Sequence, residues 1–79
     1  MTESADAIAT SLFASLREVG DPVERYQKVK ELETRIDRGF KEIKAEVANE
    51  LHDSRSWSEV GKLLGVTGSR AEQISRAAR

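Results

Sequence analysis

Among 79 residues the chain has no cysteine, one proline and four aromatic side chains, and it holds no long hydrophobic run. Without cysteine it can form neither a disulfide scaffold nor a thiolate-ligated zinc site, the usual supports of so short a chain. Stability must come from packing, alone or with a second subunit. No stretch approaches the ~18 apolar residues of a membrane span. The opening MTESADAIATSLF carries acids where a secretory signal needs basic residues, so the expectation is a cytoplasmic protein away from membranes. Scarce proline and scarce β-branched alternation, beside abundant Ala, Leu, Glu, Lys and Arg, argue against a sheet and for an all-α chain. With 38% hydrophobic residues there is material for one small core, which excludes a multidomain enzyme.

Total charge is nearly balanced as well: 13 Lys+Arg against 14 Asp+Glu give −1, and that sum favours no partner. Its distribution is informative. Met1 to Asp53 holds 12 acidic and 8 basic residues, whereas Ser54 to Arg79 holds 2 acidic and 5 basic. The chain is therefore polarised, net −4 before Ser54 and +3 after it. This divides one domain, residues 1–79, into a helical scaffold or dimerisation part (1–53) and a basic C-terminal part (54–79).

About four helices are expected. Ala5, Ile8, Leu12, Leu16 and Val19 recur at steps of 3 and 4, with Ser4 as N-cap and Gly20 as stop, which predicts a helix from Ala5 to Val19. Asp21-Pro22-Val23-Glu24 is a dense start signal, a capping Asp followed by Pro in the first turn and a Glu able to reach back. From there an apolar stripe runs Val23, Tyr26, Val29, Leu32, Ile36, Phe40, Ile43, Val47 and Leu51, with a mean step of 3.5. Tyr26 and Phe40 are read as core residues of that stripe. Gly39 interrupts it without shifting its phase, so one long central helix is favoured over a kink at Gly39 that would fold two halves together. Thirty helical residues span about 45 Å, more than the roughly 30 Å diameter of a compact globule of this size. The projecting apolar residues then need cover. A twofold-related copy supplies it, which makes Val29, Leu32, Ile36, Phe40 and Ile43 the candidate homodimer interface.

Ser56-Trp57-Ser58-Glu59 is a second capping box and opens a third helix whose expected buried face is Trp57, Val60, Leu63 and Leu64. Gly65-Val66-Thr67 ends it, and Ala71, Ile74, Ala77 and Ala78 mark a last helix capped by Thr67. Two short helices across a tight glycine turn form a helix-turn-helix. That unit needs a small residue where the helices approach, a residue tolerant of positive φ in the turn, and apolar contacts on both sides. Gly61, Gly65 and the set Val60, Leu64, Val66, Ala71 and Ile74 fill those slots.

The stretch SWSEVGKLLGVTGSRAEQISRAAR resembles the helix-turn-helix of region 4 of bacterial sigma factors and of related small bacterial transcription regulators. EVGKLLGVT, followed by an Arg and a Gln-Ile pair, carries the resemblance, which covers Ser56 to Arg79. In such proteins the second helix enters the major groove of double-stranded DNA and its early outward residues reach base edges. By position, the resemblance assigns that role to Gly68, Ser69, Arg70, Gln73 and Arg76, with Thr67 near a phosphate at the cap. Gly68 and Ser69 stand where the sigma pattern has a larger charged pair, and Glu72 stands where a basic residue is common, so a stand-alone regulator fits better than a sigma factor.

Side-chain chemistry agrees with these assignments. Arg binds guanine and Gln binds adenine bidentately, and Ser69, Arg70, Gln73 and Arg76 share one helical side at steps of 3 and 4. Arg55, Lys62, Arg76 and Arg79 are the candidate phosphate contacts, which position without specifying. A single unit of charge +3 binds DNA weakly at physiological salt, and a dimer doubles it. The expected function is a homodimeric transcription regulator, most simply a repressor, on an inverted-repeat operator.

The remaining chemistry-bearing residues take ordinary roles. Trp57 is read as a core or edge anchor. His52 sits near a helix end, where a cationic ring complements the dipole, and has no second His or Cys with which to bind a metal. Ser54, Ser56 and Ser58 are turn and cap residues with no histidine positioned to activate them. The Glu and Lys/Arg residues of the long helix form a solvated face with pairs such as Glu24–Lys28. Neither catalysis nor a cofactor is expected. The alternative reading is a helical interaction module or anti-regulator that docks its apolar stripe on a protein partner in transcription.

Overall fold

A computed structural model describes residues 4–77 as four α-helices with no strand among them. They are α1 (Ala5–Arg17), α2 (Pro22–His52), α3 (Trp57–Leu64) and α4 (Gly68–Arg76). The all-α class and the long second helix agree with the sequence pattern, and α2 runs unbroken through Gly39. Contacts divide the chain into two compact units between Thr34 and Arg35, inside α2. The C-terminal half of α2 therefore belongs with the helix-turn-helix, whereas charge alone divides the chain at Ser54.

In the first unit, the Ser4 hydroxyl accepts the Ala7 N–H at 3.1 Å and opens α1. The helix ends at Arg17, two residues short of the expected Val19. At its exit the Val19 N–H donates to the Leu16 carbonyl at 3.2 Å, a tightened last turn. Arg25 of the next helix then donates from Nε to the Val19 carbonyl at 2.9 Å and from Nη2 to the Gly20 carbonyl at 3.4 Å, satisfying two carbonyls of the connection. Asp21 Oδ2 accepts the Glu24 N–H at 2.9 Å and starts α2, with Pro22 in its first turn. Lys28 bridges Glu31 at 3.6 Å instead of Glu24. Leu12, Leu16 and Leu32 are half-buried, and no described residue of this unit is fully buried. Tyr26, expected in the core, is 64% exposed.

The second unit has a core of modest side chains: Ala45, Ala48, Val60 and Ala71. Two alanines, off the large apolar stripe, are the residues α2 buries here. Phe40, expected in the core, is 59% exposed. Across this core Asn49 Nδ2 donates to the Ser75 carbonyl at 3.2 Å and to its own helix at Ala45 O at 2.8 Å, tying α2 to α4. Leu63 is a further correction, at 59% exposure. Trp57, Val60, Gly61 and Leu64 follow the steps of a single helical face, and because Gly61 turns that face toward α4, Leu63 falls on the outer flank. No helix among the described residues is long and apolar enough to cross a membrane.

Candidate nucleic-acid interface

The geometry of α3, turn and α4 follows from four residues. Ser56 accepts the Glu59 N–H at 3.2 Å and caps α3. Gly61 lies where the turn crosses the helix: a Cβ there would sit 2.7 Å from the Val66 carbonyl oxygen and the Thr67 carbonyl carbon, and 2.8 Å from Gly68 N. The Val66 N–H donates to the Gly61 carbonyl at 2.8 Å, so the approach is itself hydrogen-bonded. Gly65 adopts φ 76° and ψ 29°, the left-handed conformation in which a side chain is strained. Thr67 then restarts the helix, its hydroxyl accepting the Arg70 N–H at 3.1 Å. These are the slots assigned from the sequence, each filled for the expected physical reason.

On α4 the buried side is Ala71 and Ser75, while Ser69, Arg70, Gln73 and Arg76 are all exposed. Those four predicted base-reading residues share the outer face of one short helix. Gly68 has a different situation. It is half-buried, and a Cβ on it would meet Ser58 N at 3.1 Å and the Trp57 carbonyl carbon at 3.2 Å. The absence of a side chain at Gly68 therefore lets the first turns of α3 and α4 touch. Arg76 Nη2 pairs with Glu72 Oε1 at 2.8 Å, the Arg76 side chain being largely exposed and that of Glu72 about half so. Lys62, Thr67 and Arg55 are exposed, and Arg55 Nη1 lies 3.4 Å from the Leu51 carbonyl. Arg79 and Ala78 lie outside the described residues.

Sequence reasoning missed three features. His52 stacks on Trp57 with centroids 3.7 Å apart and an interplanar angle of 11°. This contact joins the last turn of α2 to the first turn of α3, and His52 Nδ1 is buried there without a hydrogen-bond partner. Five residues across a turn flanked by two helix signals was the available cue. The second is Asn49, whose amide serves two helices at once. The third is the place of Lys44, which lines two adjoining clefts with Arg70 and Ile74. Its helical register gives no hint of which neighbour it meets.

Among the described residues no group of three or more His, Cys, Asp or Glu side chains is arranged to hold a metal ion. No protein-family model matches the sequence, and comparison with curated proteins and with solved structures found no match.

Proposed function

We propose that the protein is a sequence-specific, double-stranded-DNA-binding transcription regulator of the bacterial cytoplasm, a repressor in its simplest form. It acts as a homodimer and reads an inverted repeat with α4. The observation that carries this reading is the α3–turn–α4 geometry: a glycine forced by backbone contact, a left-handed glycine in the turn, a threonine cap, and Ser69, Arg70 and Gln73 exposed on the helix that follows. Gln73 and Arg70 supply bidentate donors and acceptors of the kind that read adenine and guanine edges. Thr67, Lys62 and Arg55 supply surrounding phosphate contacts. The resemblance to sigma region 4 and its small regulator relatives supports the same roles.

Dimerisation is supported by apolar exposure on α2. Val29, Phe40 and Ile43 are 38%, 59% and 56% exposed, and a second copy covers such a stripe at the least cost in new sequence. Two units then occupy half-sites about one helical turn apart, near 10 bp or a multiple. That same exposure favours the second reading, an interaction module whose stripe binds another protein.

Selection of bound duplexes from random DNA tests the reading directly. The expected result is an inverted repeat, with Gln73→Ala and Arg70→Ala each relaxing one base position at a cost of about 1–3 kcal/mol in discrimination. No enriched sequence, or a Gln73→Ala protein with unchanged preference, would overturn it in favour of the interaction module.

A further inference from the structure

In the second unit, α2 divides its charges between two flanks in a way the charge totals hide. Lys44 lines two adjoining clefts with Arg70 and Ile74 of α4, and Lys41 lines one of them. On another side of the same helix, Glu42, Glu46, Glu50 and Asp53 line a groove that also includes Ser75. Steps of 3 and 4 keep each set on its own flank through successive turns. Four carboxylates of the scaffold are thus gathered away from the edge of α4 that carries Arg70, where Asp37 alone lines the cleft beside Lys41 and Lys44.

The two edges of α4 are also unequal. At one, Arg76 pairs with Glu72 at 2.8 Å, the side chains 59% and 45% exposed. At the other, Arg70 and Lys44 take part in no ion pair among the described residues, and Lys41 meets Asp37 at 3.1 Å with both side chains more than half exposed. An exposed pair of that kind is worth little and exchanges readily for another anion. A helix lying in the major groove has a phosphate strand along each side, so the strand on the Arg70 side meets a flank where Lys41, Lys44 and Arg70 outnumber Asp37.

We propose that Lys44, backed by Lys41, is a phosphate-binding element of the DNA interface, so that the lysine flank of α2 grips the strand bordering the major groove beside Arg70. This rests on the reading of α4 as the recognition helix. It raises the number of cations available to DNA beyond those of the helix-turn-helix, and it fixes which flank of α2 turns toward the duplex.

The test is fluorescence anisotropy of the full chain on its selected duplex and on a random duplex, over a range of salt concentrations. The Lys41→Ala/Lys44→Ala protein is expected to bind both duplexes roughly tenfold more weakly, by the same factor, with the salt slope reduced by about 0.9 for each phosphate no longer neutralised. Lys41→Arg/Lys44→Arg should retain the parental slope, and Glu46→Gln on the opposite flank should bind as tightly as the parent or slightly tighter. An unchanged salt slope in the double alanine variant, with Gln73→Ala still relaxing preference at one base position, overturns the inference and leaves the function standing. If the parent binds no duplex even at low salt, both fall together. Circular dichroism of the variants guards against a folding effect, which equal helicity and equal thermal midpoints exclude.

Discussion

The two compact units both leave large apolar side chains outside and differ in what lies inside. In the second, which exposes Phe40, Ile43 and Leu63 at 59%, 56% and 59%, the buried apolar positions are Ala45, Ala48, Val60, Ala71 and the glycine Gly61, and the backbones come close enough that a single added carbon collides. In the first, Ile8, Phe13, Val23 and Tyr26 are between 52% and 64% exposed and no described residue is buried. Large side chains thus lie outside while small ones build the interior. Ordering a residue costs on the order of 1–2 kcal/mol of backbone entropy, and a unit with nothing fully buried recovers little of that by itself. The second unit has a buried interior of its own, whereas the first has none among its described residues.

Substitution can break this contrast, and the largest effect belongs to the second unit. Gly61→Val places side-chain atoms against the Val66, Thr67 and Gly68 backbone, with no flexible side chain there to yield. It should cost about 3 kcal/mol or more, read as a lowered urea midpoint by the emission of Trp57, the only tryptophan. A loss under about 0.5 kcal/mol, the range of ordinary surface changes, would mean that α3 and α4 do not need this approach. Next in size is Val29→Asp with Ile36→Asp on the α2 stripe. The parent is expected to sediment as a dimer and the variant as a monomer, with a loss of about 2–3 kcal/mol in association and an unshifted Trp57 emission. An unchanged molar mass would remove the stripe from the interface. Smaller again is Gly65→Ala, since a Cβ there has no atom within 4 Å and only the left-handed backbone is strained. About 1–2 kcal/mol is expected in the same urea titration, with Gly65→Asn costing less.

What was legible in the sequence follows the same division. Capping residues and the turn glycine obey local rules, so Ser4, Ser56, Gly65 and Thr67 do as their neighbours dictate. Gly61 was legible because helix-turn-helix geometry makes a demand at a known offset. The interior surface of α2 was hidden by its size: a stripe of Val, Ile and Phe outweighs Ala45 and Ala48 in any apolar pattern, yet close packing against a short helix pair selects the alanines. Leu63 went wrong for a related reason, because a glycine, which carries no apolar weight, set the buried direction of α3. On the outer face of α4 the exposed side chains were readable from the helical period. Their neighbours across space were not: Lys44 beside Arg70, and His52 against Trp57, arise from the path of the chain between α2 and α4.

The smallest expected effect is also the one that separates the two uses of glycine. Gly39 sits inside α2, where glycine costs up to ~1 kcal/mol relative to alanine, and a Cβ built on it meets nothing within 4 Å. Gly39→Ala should therefore raise stability by a few tenths to about 1 kcal/mol, the reverse in sign of any change at Gly61. Thermal melts followed by circular dichroism at two protein concentrations measure it. An equal gain at both concentrations means that α2 is open to solvent beside Phe40. A loss, deepening where the assembled form dominates, would place atoms of a second chain against Gly39. The dimer would then be built on the same close backbone approach that α3 and α4 make within one chain.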